Sequence, residues 1–226
     1  MAELEIPSDI EALCLARGDE VNPHRPLFTG DVIDGVTVEV LDEVAQPVVI
    51  VSHPCSMRAG AELAPLLHVA PVVTYHAPST AVWQKHFKVM PIGAVANMQH
   101  AVVKLDRMTL VSAGAIDPGR RLYYSTRHGI NLLRQRMVHH LTRVAIPTQT
   151  FDEEAGGAHE EADLMEDWID SAIDLGADAA EVGTAFHDWI MTVEGGRTRQ
   201  AKLLDSQAVP GVRRAMRAEI RGRYSP

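Results

Sequence analysis

The period of the hydrophobic pattern in this 226-residue chain switches from strand-like to helical near Ser125 and Thr126. Upstream, apolar residues come in short Val- and Ile-rich runs bounded by turn residues, which is the mark of β-strands. Downstream they recur every third or fourth residue, which is the mark of amphipathic helices. Strands followed by helices predict an α+β protein and not alternating β–α units. The strand candidates are residues 36–40, 48–52, 66–74, 101–105, 109–116 and 122–125, the last two joined by the turn Asp117-Pro118-Gly119. Trp83 to Phe87, with Met90 and Pro91, reads as a less regular excursion. Short strands without intervening helices predict a small barrel or tightly coiled sheet.

Helical signals flank that region. Ile10, Leu13 and Cys14 after Ser8 predict a short N-terminal helix over 8–17, stopped by Gly18. Ile130, Leu133, Met137, Leu141 and Val144 form one apolar stripe, and Pro147 ends it. The acidic, Gly-containing stretch 148–159 reads as a linker. Beyond it come the stripes Met165, Trp168, Ile169, Ile173 and Val182, Phe186, Trp189, Ile190, the second closed by Gly195-Gly196. A last helix starts at Pro210 and buries Val212, Met216 and Ile220. The expected organisation is a barrel domain over 1–147 with an N-terminal helix, a linker over 148–159 and a helical region over 160–226.

Composition removes several classes. A hydrophobic fraction of 46% excludes full disorder. No run of about 18 apolar residues predicts a membrane span. The first twenty residues are acidic and carry no secretion signal. Cys14 and Cys55 make no disulfide framework, so a reducing, cytoplasmic location is expected. The net charge of −9 conceals four blocks. Residues 1–103 carry twelve acids against five basic residues, and 104–143 carry eight basic residues against two acids. Residues 144–196 hold 14 acids and no Lys or Arg, and 197–226 hold eight basic residues against two acids. The two basic blocks keep nucleic acid open as a partner.

Four segments in order carry a resemblance to the PemK/MazF family of toxin endoribonucleases. They are Gly30-Asp31-Val32, Gln46-Pro47-Val48-Val49-Ile50-Val51-Ser52, Val69-Ala70-Pro71-Val72-Val73-Thr74, and residues 101–111 with the helix that follows Ser125. They resemble the family's Gly-Asp-Val strand, its Arg-Pro-Val-Leu-Val-Ile-Ser strand, its Val-Ala-Pro-Ile-Thr strand and its closing strand and helix, over residues 28–142. The resemblance implies an SH3-like barrel, a homodimer, no metal and no other cofactor. It also implies metal-independent cleavage of single-stranded RNA by attack of the ribose 2′-hydroxyl. The implied roles fall on Thr74, which positions the hydroxyl, and on Gln46, which stands where the family carries arginine. Glutamine binds a phosphate oxygen without charge, and a lost transition-state cation costs on the order of 3 kcal/mol.

The loop His53-Pro54-Cys55-Ser56-Met57-Arg58 offers replacements: His53 as acid or base and Arg58 as phosphate clamp. A Cys55 nucleophile is a second reading and an inward-packed Cys55 a third, whereas His-x-Cys is too sparse for zinc. Arg107, Arg120, Arg121 and Arg127 are the expected nucleic-acid contacts, with Arg134 and Arg136 in the same basic block. One of Tyr123 and Tyr124 is free to stack on a base. His139-His140 and His187-Asp188 lie on helices as packing or solvent residues. The acidic segment 152–196 resembles in charge the acidic antitoxins that block this family, so either a separate acidic partner or this segment in cis is expected to compete with RNA. The rival to the enzyme is a catalytically inert barrel that recruits a protein partner.

Overall fold

Alternation of buried and outward residues builds the β unit. The computed structural model describes residues 3–38, 44–59, 62–76, 82–83 and 87–224, apart from the side chains of Ala59, Glu153, Ala179 and Ala180. The strands are β1 (Cys14–Arg17), β2 (Val32–Thr37), β3 (Ala45–Ile50), β4 (Arg58–Ala59), β5 (Glu62–Leu63), β6 (Leu66–Thr74), β7 (Val89–Val95), β8 (Met98–Lys104), β9 (Thr109–Ser112), β10 (Arg121–Ser125), β11 (Val193–Glu194) and β12 (Arg197–Thr198). The helices are α1 (Arg127–Thr142), α2 (Thr148–Asp174), α3 (Ala179–Ile190), α4 (Arg199–Lys202) and α5 (Val209–Tyr224). The chain divides into two compact units. One comprises Met1–Pro23, Leu27–Met57 and Ala64–Glu153; the other comprises His24–Pro26, Arg58–Leu63 and Glu154–Pro226.

In the β unit an antiparallel sheet runs β1-β10-β2-β3-β6-β8-β7, with β9 also paired to β6. The two end strands approach each other, and Arg17 of β1 donates to the Ala94 carbonyl of β7 at 3.4 Å, so the sheet is a nearly closed barrel. Its interior holds every second residue of successive strands: Val49 and Val51, Ala70 and Val72, Met90 and Ile92, Ala101 and Val103. Thr126 caps α1 by accepting from Gly129 N at 3.1 Å. A Cβ on Gly129 would lie 2.7 Å from the Leu13 carbonyl oxygen, so glycine is what lets the helix approach the N-terminal segment. The Tyr123 hydroxyl donates to that same carbonyl at 3.1 Å.

Four sequence expectations change here. Residues 8–17 form a 3-10 turn, Glu11–Leu13, followed by β1, instead of a helix. Ten residues are too few to hold a helix against strand pairing with β10. The Met90-Pro91 excursion is β7, an end strand that among the described residues pairs only with β8, where a proline without an N–H is tolerated. The stretch 148–159 is not a linker but the start of α2, although the division between the two units, at Glu153/Glu154, falls inside it. On α1 the stripe holds only at its start. Leu141 and Val144 are 67% and 55% exposed, while Leu132, Arg134, Gln135 and Arg136 are buried beside Ile130 and Leu133. The proposed strand 36–40 reaches residues 39 and 40, which lie outside the described residues, as do 84–86 of the excursion.

The helical unit packs around Trp168. Its indole meets Phe186 edge-on at 5.8 Å, Trp189 at 5.4 Å and Tyr224 at 6.3 Å, inside a core with Leu164, Val182, Ile190, Val212, Met216 and Ile220. All three helical stripes beyond residue 160 are therefore seated as their spacing predicts. Gly195 and Gly196, with φ of 63° and 82°, turn the β11–β12 hairpin, a geometry that only glycine reaches without strain. No helix among the described residues is long and apolar enough to cross a membrane.

Candidate nucleic-acid interface

Three of the four segments that carry the resemblance lie side by side, at the start of β2 and on β3 and β6, and the fourth supplies β8 and β9, which both pair with β6. β3 and β6 pair through Val48↔Pro71, Val49↔Ala70 and Ile50↔Val69. Antiparallel pairing brings the start of β3 to the end of β6, so Gln46 and Thr74 share one end of the barrel. Gln46 is in register with Val36 of β2, and Thr74 with Ala101 of β8. Gln46 is half-buried and Thr74 is exposed.

The two side chains leave opposite faces of the sheet. Val49 pairs with Ala70, and both point into the barrel, as do Val72 and Ala101. Thr74 has the parity of Ala70 and Val72. Gln46 has the parity of Val48 and Ile50 and so points the other way.

His53 stands at the other end of the barrel. Ser52 Oγ accepts from His68 N at 2.7 Å, and the Ser52 carbonyl accepts from Thr29 Oγ1 at 2.5 Å, which places this loop level with His68. Thr74 lies six residues further on, about 20 Å along β6 at the usual strand rise. His53 and Thr74 are therefore not one constellation. His53 caps the 3-10 turn Pro54–Ser56, with Nδ1 accepting from Cys55 N at 3.2 Å. Cys55 is exposed, against the expectation that it packs inward, because Pro54 and Met57 take the buried positions. Arg58 opens the β4–β5 hairpin, in register with Leu63, and belongs to the helical unit.

The basic block separates into core and surface. Arg121 is a correction: it is buried, with Nε 3.2 Å from Asp31 Oδ2, and the Asp31 carboxylate also accepts from Phe28 N at 2.9 Å. Arg136 is 1% exposed, stacked 4.0 Å over the Trp83 ring and donating to the Trp83 carbonyl. Burial pulls its pKa down to about 10. Arg134 lies 4.5 Å over Phe151 and donates to its carbonyl at 3.3 Å. Tyr123 and Tyr124 are both buried, so neither is free to stack on a base. A charge pattern read along the sequence cannot distinguish these arginines from solvated ones, since their partners Trp83, Phe151 and Asp31 are distant in sequence.

Arg107, Arg120 and Arg127 remain at the surface. Of these, Arg120 is the one the topology brings to the Gln46 end. Asp117 accepts from Gly119 N at 2.9 Å and caps the turn that presents it. Its guanidinium rests against Gly35, where an added Cβ would lie 2.2 Å from it, and reaches Asp34 at 3.5 Å. Asp34 and Gly35 occupy the register break between Ile33 and Val36, and Val36 is the partner of Gln46. A cation, an amide and a hydroxyl thus share one rim.

The acidic segment is engaged inside the helical unit. Asp163 and Glu166 pair with buried Arg25, Glu160 and Asp167 with Arg213, and Glu194 with Arg199 and Lys202. Among the described residues no group of three or more His, Cys, Asp or Glu has the arrangement of a metal site. His139 packs against Phe87 at 4.9 Å between ring centres. No family model matches the chain, and no curated protein matches it.

Proposed function

We propose that this protein binds single-stranded RNA at the barrel rim formed by Gln46, Thr74 and Arg120, as a PemK/MazF-like module that holds the strand without cleaving it. The observation that carries the reading is the parity of β3 and β6. A nucleophile-positioning hydroxyl and a phosphate-binding group must converge on one phosphate for 2′-hydroxyl attack. Thr74 and Gln46 emerge on opposite faces, and the amide brings no charge to a developing phosphorane. Binding asks less: an exposed guanidinium and hydrogen-bonding groups along one edge.

The test is fluorescence anisotropy with short RNA oligonucleotides in EDTA. Arg120→Ala is expected to weaken binding by about tenfold at low salt. Unchanged affinity would remove the rim from the reading. Cleavage is the second reading, favoured by the position of Arg120 one strand away from Gln46. It requires 2′,3′-cyclic-phosphate ends that both Thr74→Ala and Arg120→Ala abolish; intact RNA at high protein concentration sinks it.

A further inference from the structure

Helix α5 has two faces of different chemistry. One seats Val212, Met216 and Ile220 in the core of the helical unit. Another carries Arg214, Arg217 and Arg221, at i, i+3 and i+7, centred about 130° around the helix from the apolar residues and all exposed. The remaining two arginines of the helix are already used: Arg213 donates to Asp167 and Glu160, each at 3.0 Å, and Arg223 donates to Glu219 at 3.0 Å. Arg214, Arg217 and Arg221 have no ion pair or hydrogen-bonding side chain among the described residues. In a chain with 30 acids against 21 basic residues, an all-arginine stripe with no acid on it is not a neutral solvated face.

Beside the stripe run Gly211, Ala218 and Gly222, all exposed. A Cβ at either glycine would meet nothing within 4 Å, so packing does not require glycine there. Glycine is the least favourable helix residue after proline, and two of them leave the backbone beside the arginines open to close approach. The face bears no large apolar or aromatic residue, so it lacks the anchors of a protein interface. Tyr224 is taken by Trp168 and does not offer a stacking surface. Arginine rather than lysine supplies all three charges, which suits forked contacts to phosphate oxygens.

We propose that this face of α5 binds the phosphate backbone of RNA through Arg214, Arg217 and Arg221, independently of base sequence. The proposal rests on the RNA-binding reading above and adds a second contact surface to it. The stripe spans about 10 Å along the helix, room for two or three successive phosphates.

The experiment uses the full chain and the triple variant R214Q/R217Q/R221Q, with poly(U) and poly(A) oligonucleotides titrated from low to moderate salt. Glutamine keeps helix propensity, and circular dichroism checks that the fold is unchanged. The triple variant is expected to lose roughly tenfold or more in low-salt affinity, equally for both sequences, with the salt slope falling by about two. Wild-type binding with the variant unchanged in affinity and slope overturns the α5 proposal and leaves the barrel reading standing. Absence of RNA binding by the wild type at low salt overturns both. If polyglutamate binding depends on the three arginines while RNA affinity does not, the face belongs to an acidic protein partner and the proposal falls.

Discussion

Arg121 and Asp31 face each other in the barrel wall, each side chain 1% exposed. Two buried charges tolerate each other because each neutralises the other; removal of one leaves the other stranded. Asp31→Asn is expected to cost about 3–5 kcal/mol, measured by urea unfolding. Replacing the pair by Leu and Met is expected to recover most of that loss. His139 behaves differently. Burial, then the positive Arg143, Arg136 and neighbouring His140, lower its pKa below the ordinary value of 6.5. The unfolded chain therefore takes up a proton at a higher pH than the folded one. Stability rises with pH across the interval between the lowered folded value and 6.5, and falls as the solution is acidified through it. Unfolding curves between pH 7 and pH 5 check this, and His139→Gln is expected to flatten the slope.

At the scale of the element, the rim depends on strand parity and the bulge. Gln46→Arg introduces the residue that the PemK/MazF family, which this strand resembles, carries there. It is expected to raise RNA affinity without producing cleavage, because the new guanidinium leaves the sheet on the face away from Thr74. Appearance of cyclic-phosphate ends in this variant would overturn the parity argument. Gly35→Ala is expected to weaken RNA binding in the same direction as Arg120→Ala while keeping every charge. The added methyl collides with the guanidinium and is strained at φ +68° by on the order of 1 kcal/mol. These elements also show what a single sequence discloses. β6 was legible to the residue, because nine Val-rich residues end in turn formers. Helices α3 and α5 were legible because their apolar spacing has one solution. β7 was hidden by Pro91, whose tolerance depends on a strand's place at the sheet end. The candidate site was legible in kind, as Thr74, Gln46 and Arg120 could all be named. Their grouping was not, since His53 and Arg121 look equally eligible until the register and Asp31 are seen.

At the scale of the whole molecule, charge is distributed by use. The formal −9 describes neither unit, since the barrel hides Arg121, Arg134 and Arg136, while the helical unit spends acids on Arg25, Arg213, Arg199 and Lys202. The same acidic segment supplies much of that unit's core, from Leu164 to Ile190. Trp168→Ala is expected to cost about 3–5 kcal/mol and to abolish the cooperative unfolding of the helical unit, followed by near-ultraviolet dichroism. Placement of the indoles has a practical result. Trp83 alone lies in the barrel, under the Arg136 guanidinium, whereas Trp168 and Trp189 lie together in the helical unit. A chain with phenylalanine at 168 and 189 would carry a single tryptophan, whose fluorescence, excited where tyrosine does not absorb, reports the barrel by itself, and one with phenylalanine at 83 would report only the helices. The molecule is thereby colour-coded by its own sequence, and each half can be watched while the other is perturbed.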